Sequence, residues 1–99
     1  MNIDIKTKKD TLLVRVDGRV DGSNYAELEN SLKDNIEGIN VIEFDFKKLA
    51  YISSAGLRVM LWVYKEVSKT GGYVVIKHIS ENVMSVFELS GFSDFFIFK

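Results

Sequence analysis

The chain has 99 residues, of which 46% are hydrophobic and 27% are charged, an ordinary composition for a soluble globular domain. Thirteen basic and fourteen acidic residues leave a formal net charge of −1, and no basic run exceeds two residues, so a nucleic-acid interface is not expected. Cysteine is absent, which excludes disulfides, thiolate nucleophiles and zinc–thiolate centres.

The apolar runs are too short to span a membrane, and the charged first residues do not resemble a signal peptide. A chain of this length can bury one hydrophobic core. We therefore expect a single domain over residues 1–99, located in the cytoplasm and without membrane contact.

Two strands are predicted at the start of the chain. Residues 2–8 alternate between apolar and polar side chains. Residues 11–18 form a stronger pattern, with Leu12, Val14 and Val16 on one face. Because only a short turn separates the two segments, they are expected to pair as a hairpin.

A loop over residues 18–24 precedes the first predicted helix. Asn24 followed by Glu27 resembles a capping box in which asparagine replaces the usual serine or threonine. Gly38 is the expected C-terminal stop of this helix. Taken alone, Asp21 is typical of a turn residue whose side chain bonds nearby backbone. The apolar stripe of the helix comprises Tyr25, Leu28, Leu32 and Ile36.

The central segment begins with a predicted strand over residues 41–46 and continues, through a turn at residues 53–56, into a second helix. We predict Ser54 as the N-cap of this helix, its oxygen accepting a hydrogen bond from the amide of Gly56 or Leu57. A hydroxyl at this position lies at the positive end of the helix, where an added phosphate is tolerated. A serine-capped helix without any modification explains the same residues.

The second helix has apolar residues at core spacing and also on a further side. The core set comprises Leu57, Met60, Leu61, Tyr64 and Val67. The further set comprises Val59, Trp62, Val63 and Val67, and part of it is a candidate partner contact.

The C-terminal third is predicted to add a strand, a short helix and a last strand. Residues 73–78 are nearly continuous in apolar side chains from Tyr73 to Ile76, as in a strand covered on both faces. Ser80 is the expected N-cap of a helix over residues 81–90, which Gly91 closes, and residues 95–98 form the last strand. The elements together predict an α/β fold with a mixed central sheet of about five strands and helices packed on it.

Catalytic and cofactor-binding constellations are not found in the sequence. His78 is the only histidine, and a strand end is an ordinary place for a solvated or hydrogen-bonded one. Ser54 does not match a nucleophile elbow, because Ile52 stands where that motif requires glycine. We expect no catalytic residue, no cofactor and no metal, and a protein that is not an enzyme.

The segment Tyr51-Ile52-Ser53-Ser54-Ala55-Gly56-Leu57 resembles the signature loop of STAS domains of the anti-sigma-factor antagonist type. The usual pattern there is an aromatic residue, an apolar residue, Asp, the phosphorylated Ser, Ser or Thr, Gly and Leu. Position by position, Ser54 takes the place of the phosphoacceptor and Gly56 that of the motif glycine. Ser53 stands where Asp is common and offers a competing acceptor, and Ala55 stands where a second hydroxyl is common.

The resemblance extends over nearly the whole chain. The segment Gly18-Arg19-Val20-Asp21 is similar to the family's Gly-x-Leu/Val-Asp element, which lies beside the phosphorylation loop in such domains. Residues 89–98 resemble the family's C-terminal helix and strand. The resemblance therefore implies a single STAS-like domain over residues 1–99.

The function implied by the resemblance is that of an anti-sigma-factor antagonist, a partner-switching protein in transcription regulation during stress. The unmodified protein would sequester an anti-sigma factor that is also a serine/threonine kinase and so free a sigma factor. The kinase would phosphorylate Ser54, with Ser53 as second choice, and a phosphatase would restore the protein. The alternative is a non-phosphorylated STAS scaffold subunit of a signalling or transport-associated complex.

The predicted partner surface combines the two loops with the first turn of the second helix, since loops that leave the same ends of parallel strands lie side by side. Arg58 lies in that first turn, where the helix dipole disfavours a cation. Contact with an acidic partner group, or with a phosphate on Ser54, explains this placement, as does a solvated arginine stem over apolar surface. The expected partner-binding residues are Asp21, Ser23, Asn24, Ser53, Ser54, Gly56 and Arg58.

Overall fold

The computed structural model describes residues 1–99 as six strands and three α-helices. In chain order they are β1 (Asn2–Lys8), β2 (Thr11–Val20), α1 (Tyr25–Lys33), β3 (Val41–Asp45), β4 (Leu49–Ile52), α2 (Ser54–Ser68), β5 (Tyr73–Lys77), α3 (Glu81–Ser90) and β6 (Ile97–Phe98). A 3₁₀ turn at Ser93–Phe95 precedes β6. The predicted α/β class is confirmed.

The strands form a mixed sheet in the order β1-β2-β3-β5-β6, with β4 paired to β2 outside this path. β1 and β2 form the predicted antiparallel hairpin, while β3, β5 and β6 extend the sheet by parallel pairing. Ser80 caps α3 as predicted, its Oγ accepting from the Val83 amide at 3.2 Å, and Gly91 ends that helix with φ +79°.

Strand β2 is shared between two partners. Its first residues pair with β3, and Gly18–Val20 pair in parallel with β4, after a register shift between Gly18 and Arg19. Gly18 has φ +94°, a conformation that suits glycine, and its amide donates to the Lys48 carbonyl at 2.8 Å. The direct turn from the third strand into the second helix was a wrong prediction, because β4 intervenes.

The hydrophobic core lies between the helices and one face of the sheet. Leu12, Val14 and Val16 of β2 are buried there, as predicted, and the opposite face of the sheet carries no helix. On β5, Val75 on that opposite face is only 6% exposed but Tyr73 is 47% exposed, so the prediction of a strand covered on both faces is met in part. No helix is long and apolar enough to cross a membrane.

The structure changes the predicted end of α1 and limits the predicted apolar surface of α2. α1 ends at Lys33, five residues before Gly38, so Ile36 packs against the core from the following loop. Most of the further side of α2 is not free apolar surface, because Val59 and Val63 are buried in the core. On the same side Trp62 is half-buried, with the Lys33 ammonium 5.5 Å from its ring centre.

Candidate functional site

Two loops leave the sheet side by side at the ends of β2 and β4. Val20 and Ile52 are the last residues of these strands and lie directly opposite each other in parallel register. The Ser53 amide donates to the Val20 carbonyl at 2.9 Å, which ties the two exits together. The loop over residues 21–24 and the turn over residues 53–56 are therefore neighbours.

The N-cap of α2 is Ser53, not Ser54. Ser53 is extended, with φ −92° and ψ 177°, and its Oγ accepts from the Gly56 amide at 3.4 Å. Its carbonyl accepts from the Leu57 amide at 2.9 Å. The predicted cap was wrong by one residue, because the pairing of β4 with β2, continued by the hydrogen bond from the Ser53 amide to the Val20 carbonyl, holds the chain extended through Ser53.

This shift changes the chemical character of the two serines. Ser53 is half-buried and its hydroxyl closes the cap, whereas Ser54 is the first helical residue, exposed, with its hydroxyl outside the cap. Ser54 still lies in the first turn, where free amides and the helix dipole favour a negative charge. The more accessible hydroxyl of the pair therefore belongs to Ser54.

Gly56 has a packing role beneath the turn. It is buried, and a Cβ added to it would lie 2.6 Å from Ile52 Cγ1 and 2.9 Å from Val20 Cγ1. Only glycine lets the first turn of α2 approach the ends of β2 and β4 this closely. Gly56 thus shapes the site without offering a side chain to a partner.

The loop after β2 is held by its own polar side chains. Asp21 accepts from the hydroxyl of Ser23 at 2.6 Å and from its amide at 2.9 Å. The pKa of Asp21 is lowered below its ordinary value, chiefly by the hydrogen bond from the Ser23 hydroxyl and next by the one from the Ser23 amide. Asp21 thus has the turn-forming role that its sequence position alone suggested.

Asn24 completes this loop instead of capping α1. Its Oδ1 accepts from the Asp21 amide at 2.9 Å and its Nδ2 donates to the Arg19 carbonyl at 2.9 Å. No side-chain hydrogen bond caps α1, so the predicted capping box with Glu27 was wrong. Both polar atoms of the Asn24 side chain are hydrogen-bonded within the turn, and these bonds fix the loop beside Ser53.

Arg19 and Tyr51 form a further part of the site that the sequence did not predict. The Arg19 guanidinium lies 4.5 Å from the centre of the Tyr51 ring, and Arg19 Nε lies 3.9 Å from Asp21 Oδ2. Both residues are solvent-exposed, Arg19 more than Tyr51, and they alternate along their strands with the core residues Val20 and Ile52. Recognition of β4 in the sequence would have revealed the pair, since Arg19 and Tyr51 are strand neighbours.

A cleft of about 390 Å³ lies between α1 and α2 and is lined by Tyr25, Glu29, Ala55, Arg58 and Val59. Arg58 is exposed and takes part in none of the ion pairs of the chain. Ser54 and Arg58 are four residues apart on α2 and so lie on the same side of the helix. Arg58, an unpaired cation, therefore lies one helical turn after the accessible Ser54.

We call this assembly the Ser54 surface: Arg19, Asp21, Tyr25, Tyr51, Ser54 and Arg58. It contains three of the predicted partner-binding residues, while Ser23, Asn24, Ser53 and Gly56 hold the loop and the first turn of α2 in place. Nowhere in the chain do three or more His, Cys, Asp or Glu side chains form a group that could hold a metal ion. His78 is engaged elsewhere, its Nδ1 3.1 Å from Asp45 Oδ1.

A model of the STAS domain family matches residues 2–99. BtrV of Bordetella bronchiseptica, which carries the provisional name of an anti-sigma factor antagonist, is 37% identical over 86 residues, covering 86% of this chain and 74% of BtrV. The anti-sigma-B factor antagonist of Bacillus subtilis is 27% identical over 94 residues, covering 95% of this chain and 86% of that protein.

Solved structures show the same fold. The unphosphorylated anti-sigma factor antagonist SpoIIAA superimposes with a TM-score of 0.87 over 99% of this chain and 88% of its own, at 19% identity. The phosphorylated form of a Bacillus SpoIIAA superimposes with a TM-score of 0.78 over 99% of this chain and 91% of its own, at 18% identity. At these identities the likeness concerns the fold alone.

Proposed function

The chain belongs to the STAS domain family, and we propose that it acts as an anti-sigma factor antagonist whose partner binding is switched by phosphorylation of Ser54. The unmodified protein binds an anti-sigma factor that is also a serine/threonine kinase, which frees a sigma factor. The kinase then phosphorylates Ser54, the complex dissociates, and a phosphatase restores the protein. The names of BtrV and of the Bacillus subtilis relative support this class.

The observation that carries the proposal is the placement of Ser54. Its hydroxyl is exposed at the first residue of α2, outside the cap that Ser53 closes, and it is flanked by the hydrogen-bonded loop over residues 21–24. A kinase needs a serine whose oxygen is accessible and not tied up in the fold. Ser54 meets this condition better than Ser53.

The switch follows from charge. Phosphorylation adds about −1.5 to −2 charges at neutral pH, and the N-terminus of α2 tolerates them, so the fold persists. A partner interface that closes over a neutral serine must desolvate the new charge. A penalty of about 3–4 kcal/mol is enough to weaken binding by roughly 10²–10³-fold.

The side chains around Ser54 are of the types that dominate binding energy at interfaces. Tyr25 and Tyr51 are 38% and 39% exposed, although large aromatic side chains are usually buried. Arg19 is held over the Tyr51 ring, and Arg58 has no partner in the chain. Because Tyr and Arg are enriched among binding hot spots, we assign these four residues to the partner contact, with Arg58 facing an acidic group.

Incubation with the cognate kinase and ATP, followed by intact-mass measurement and peptide mapping, tests the acceptor. Wild type and Ser53→Ala should each gain one phosphate on residue 54, and Ser54→Ala should gain none. Ser54→Ala should keep its affinity for the partner, and Ser54→Asp should lose more than about tenfold of it, since the bound form is neutral at this position. Phosphate on Ser53, or equal affinity of Ser54→Asp and wild type by calorimetry, contradicts the proposal.

Arg58→Glu tests the contact surface. We expect this variant to bind the kinase more than about tenfold more weakly, with a thermal midpoint close to that of wild type, because Arg58 is exposed and unpaired. Lys65→Glu, an exposed cation farther along α2, is the matched control and should bind normally. Asp21→Lys is a less specific test, since it also removes the hydrogen bonds from Ser23. Normal affinity of Arg58→Glu places the contact elsewhere.

A non-phosphorylated STAS scaffold is the second candidate. Ser53 favours it, because this residue stands where the antagonist pattern has Asp and its hydroxyl is committed to capping α2. Stable partner binding that persists in the presence of kinase and ATP, without any mass increase, is the result that selects this function.

A further inference from the structure

The face of the sheet opposite the helices carries a row of alternating charges. The strand registers place Asp4 beside Arg15, Arg15 beside Asp45 and Asp45 beside Lys77, so one row crosses β1, β2, β3 and β5. Residues paired across strands point to the same face. Most of their sequence neighbours belong to the core on the other face, namely Val14, Val16, Phe44, Phe46 and Ile76. The four side chains line one shallow groove of about 510 Å³.

The order of signs in this row is negative, positive, negative, positive, which is complementary to its own reverse. Consider two copies whose sheet faces meet, related by a twofold axis that runs parallel to the strands and passes over the gap between β2 and β3. This axis places the row of one copy opposite the reversed row of the second copy. It sets Asp4 against Lys77 of the second copy and Arg15 against Asp45 of the second copy. Self-complementarity of this kind is what an isologous dimer requires.

Beside the charged row, the β5 and β6 side of the same sheet face carries an apolar strip. Val41 lies beside Tyr73 in the register of β3 and β5, and Val75 lies beside Ile97 in that of β5 and β6. Tyr73 and Ile97 are 47% and 44% exposed on a face that no helix covers. The axis brings the β1 edge of one copy, with Lys6 and Lys8, over this strip of the other, where lysine stems can cover apolar surface and an ammonium can face the Tyr73 ring.

The charges of the row also have partners within the chain. Arg15 Nε lies 3.1 Å from Asp17 Oδ1, Asp45 Oδ1 lies 3.1 Å from His78 Nδ1, and Lys77 pairs with Glu43. The paired side chains of the row keep between 41% and 45% of their surface exposed, so the alternation is presented to solvent. Burial opposes ionisation of Asp45, but the Lys47 amide and His78 outweigh it and lower its pKa.

We propose that this sheet face is a weak, salt-sensitive interface between two copies of the chain, formed face to face about the twofold axis described. The registers of β2 with β3 and of β3 with β5 cover only five residue pairs each, an extent typical of small, transient interfaces. Its ionic contacts make association weaken as salt is added. The proposal rests on no part of the proposed function, because the row lies on the sheet face and the Ser54 surface lies at the ends of β2 and β4.

Sedimentation equilibrium of the full chain at low ionic strength, with protein up to about 1 mM, tests the interface. Arg15→Glu and Asp45→Arg should each weaken self-association by more than about tenfold, because each sets like charges against each other in the homodimer. An equimolar mixture of the two variants should associate about as well as wild type, since both cross-copy pairs are then of opposite sign. Repulsion within a single chain cannot produce this recovery.

Circular dichroism identifies a variant that fails to fold. In that case the single variants Asp4→Lys and Lys77→Glu, tested alone and as an equimolar mixture, apply the same design to the contact between Asp4 and Lys77 of the second copy. Both sets should leave binding to the kinase unchanged. A monomeric wild type at the highest concentration overturns the proposal. So does a dimer that the single substitutions do not weaken, or a mixture of folded variants that does not recover association.

Discussion

Replacement of Gly56 by alanine tests the close approach on which the Ser54 surface is built. The added Cβ would lie 2.6 Å from Ile52 Cγ1, 2.9 Å from Val20 Cγ1 and 3.2 Å from Ile52 Cδ1. Both neighbours are only 1% exposed, so they cannot swing out into solvent. Either α2 or the ends of β2 and β4 must therefore move.

The cost follows from two opposing effects. Overpacking a well-packed core costs about 1–3 kcal/mol. Alanine regains up to about 1 kcal/mol over glycine in a helix, and less at a first turn. The free energy of unfolding should therefore fall by about 1–2 kcal/mol, which for a domain of this size lowers the thermal midpoint by roughly 4–16 °C.

Urea denaturation followed by circular dichroism measures this change. Gly22→Ala is the matched control, because Gly22 lies in the adjacent loop, has no atom within 4 Å of an added Cβ and shows no positive φ. We expect the control to stay within about 0.5 kcal/mol of wild type. A Gly56→Ala variant as stable as wild type would refute the steric reasoning, and Gly56 would then have no packing role.

Three further predictions concern the cap, the loop and the core. Ser53→Ala should lower the free energy of unfolding, measured by urea denaturation, by about 0.5–1 kcal/mol, the lower end of the range for caps because the capping hydrogen bond is 3.4 Å long. Ser54→Ala should stay within about 0.5 kcal/mol of wild type, and the reverse order contradicts the assigned cap. Asp21 has a lowered pKa when folded, so its stabilisation is complete above the ordinary aspartate pKa of about 4 and disappears as the pH falls through the folded value. Asp21→Asn should therefore flatten the fall of the thermal midpoint below about pH 4, and an unchanged profile disproves the assignment. Phe87→Ala, at a fully buried position, should lose about 3–5 kcal/mol, whereas Leu89→Ala, 89% exposed on the same helix, should change by less than about 0.5 kcal/mol.

Much of the architecture could be predicted from local residue patterns. The hairpin of β1 and β2 follows from two alternating segments joined by a short turn, and the register observed is the one that turns Leu12 and Val14 inward. Ser80 and Gly91 bound α3 as their residue types predict. These features were predictable because the physical cause lies within a few residues of its effect.

The polar loop shows where a local pattern misleads. Asn24 and Glu27 have the spacing of a capping box, yet the Asn24 side chain bonds the Asp21 amide and the Arg19 carbonyl. The competing arrangement is also local, so the residue pattern alone does not distinguish the two. The capping-box spacing therefore predicted a turn at this place correctly, but not the hydrogen bonds that the Asn24 side chain makes in it.

The sequence indicated where the candidate site lies, and the fold supplied the details of its geometry. The motif over residues 51–57 pointed to Ser53 and Ser54, but which serine caps α2 depends on where β4 ends. β4 is four residues long, and its strand character comes from pairing with β2, about 30 positions earlier in the chain. That pairing extends Ser53, frees the Ser54 hydroxyl from the cap and sets Tyr51 under Arg19. Local sequence determined most of the elements. Long-range strand pairing decided β4 and the set of side chains that remain exposed around Ser54, because a pairing partner distant in sequence leaves no local signal.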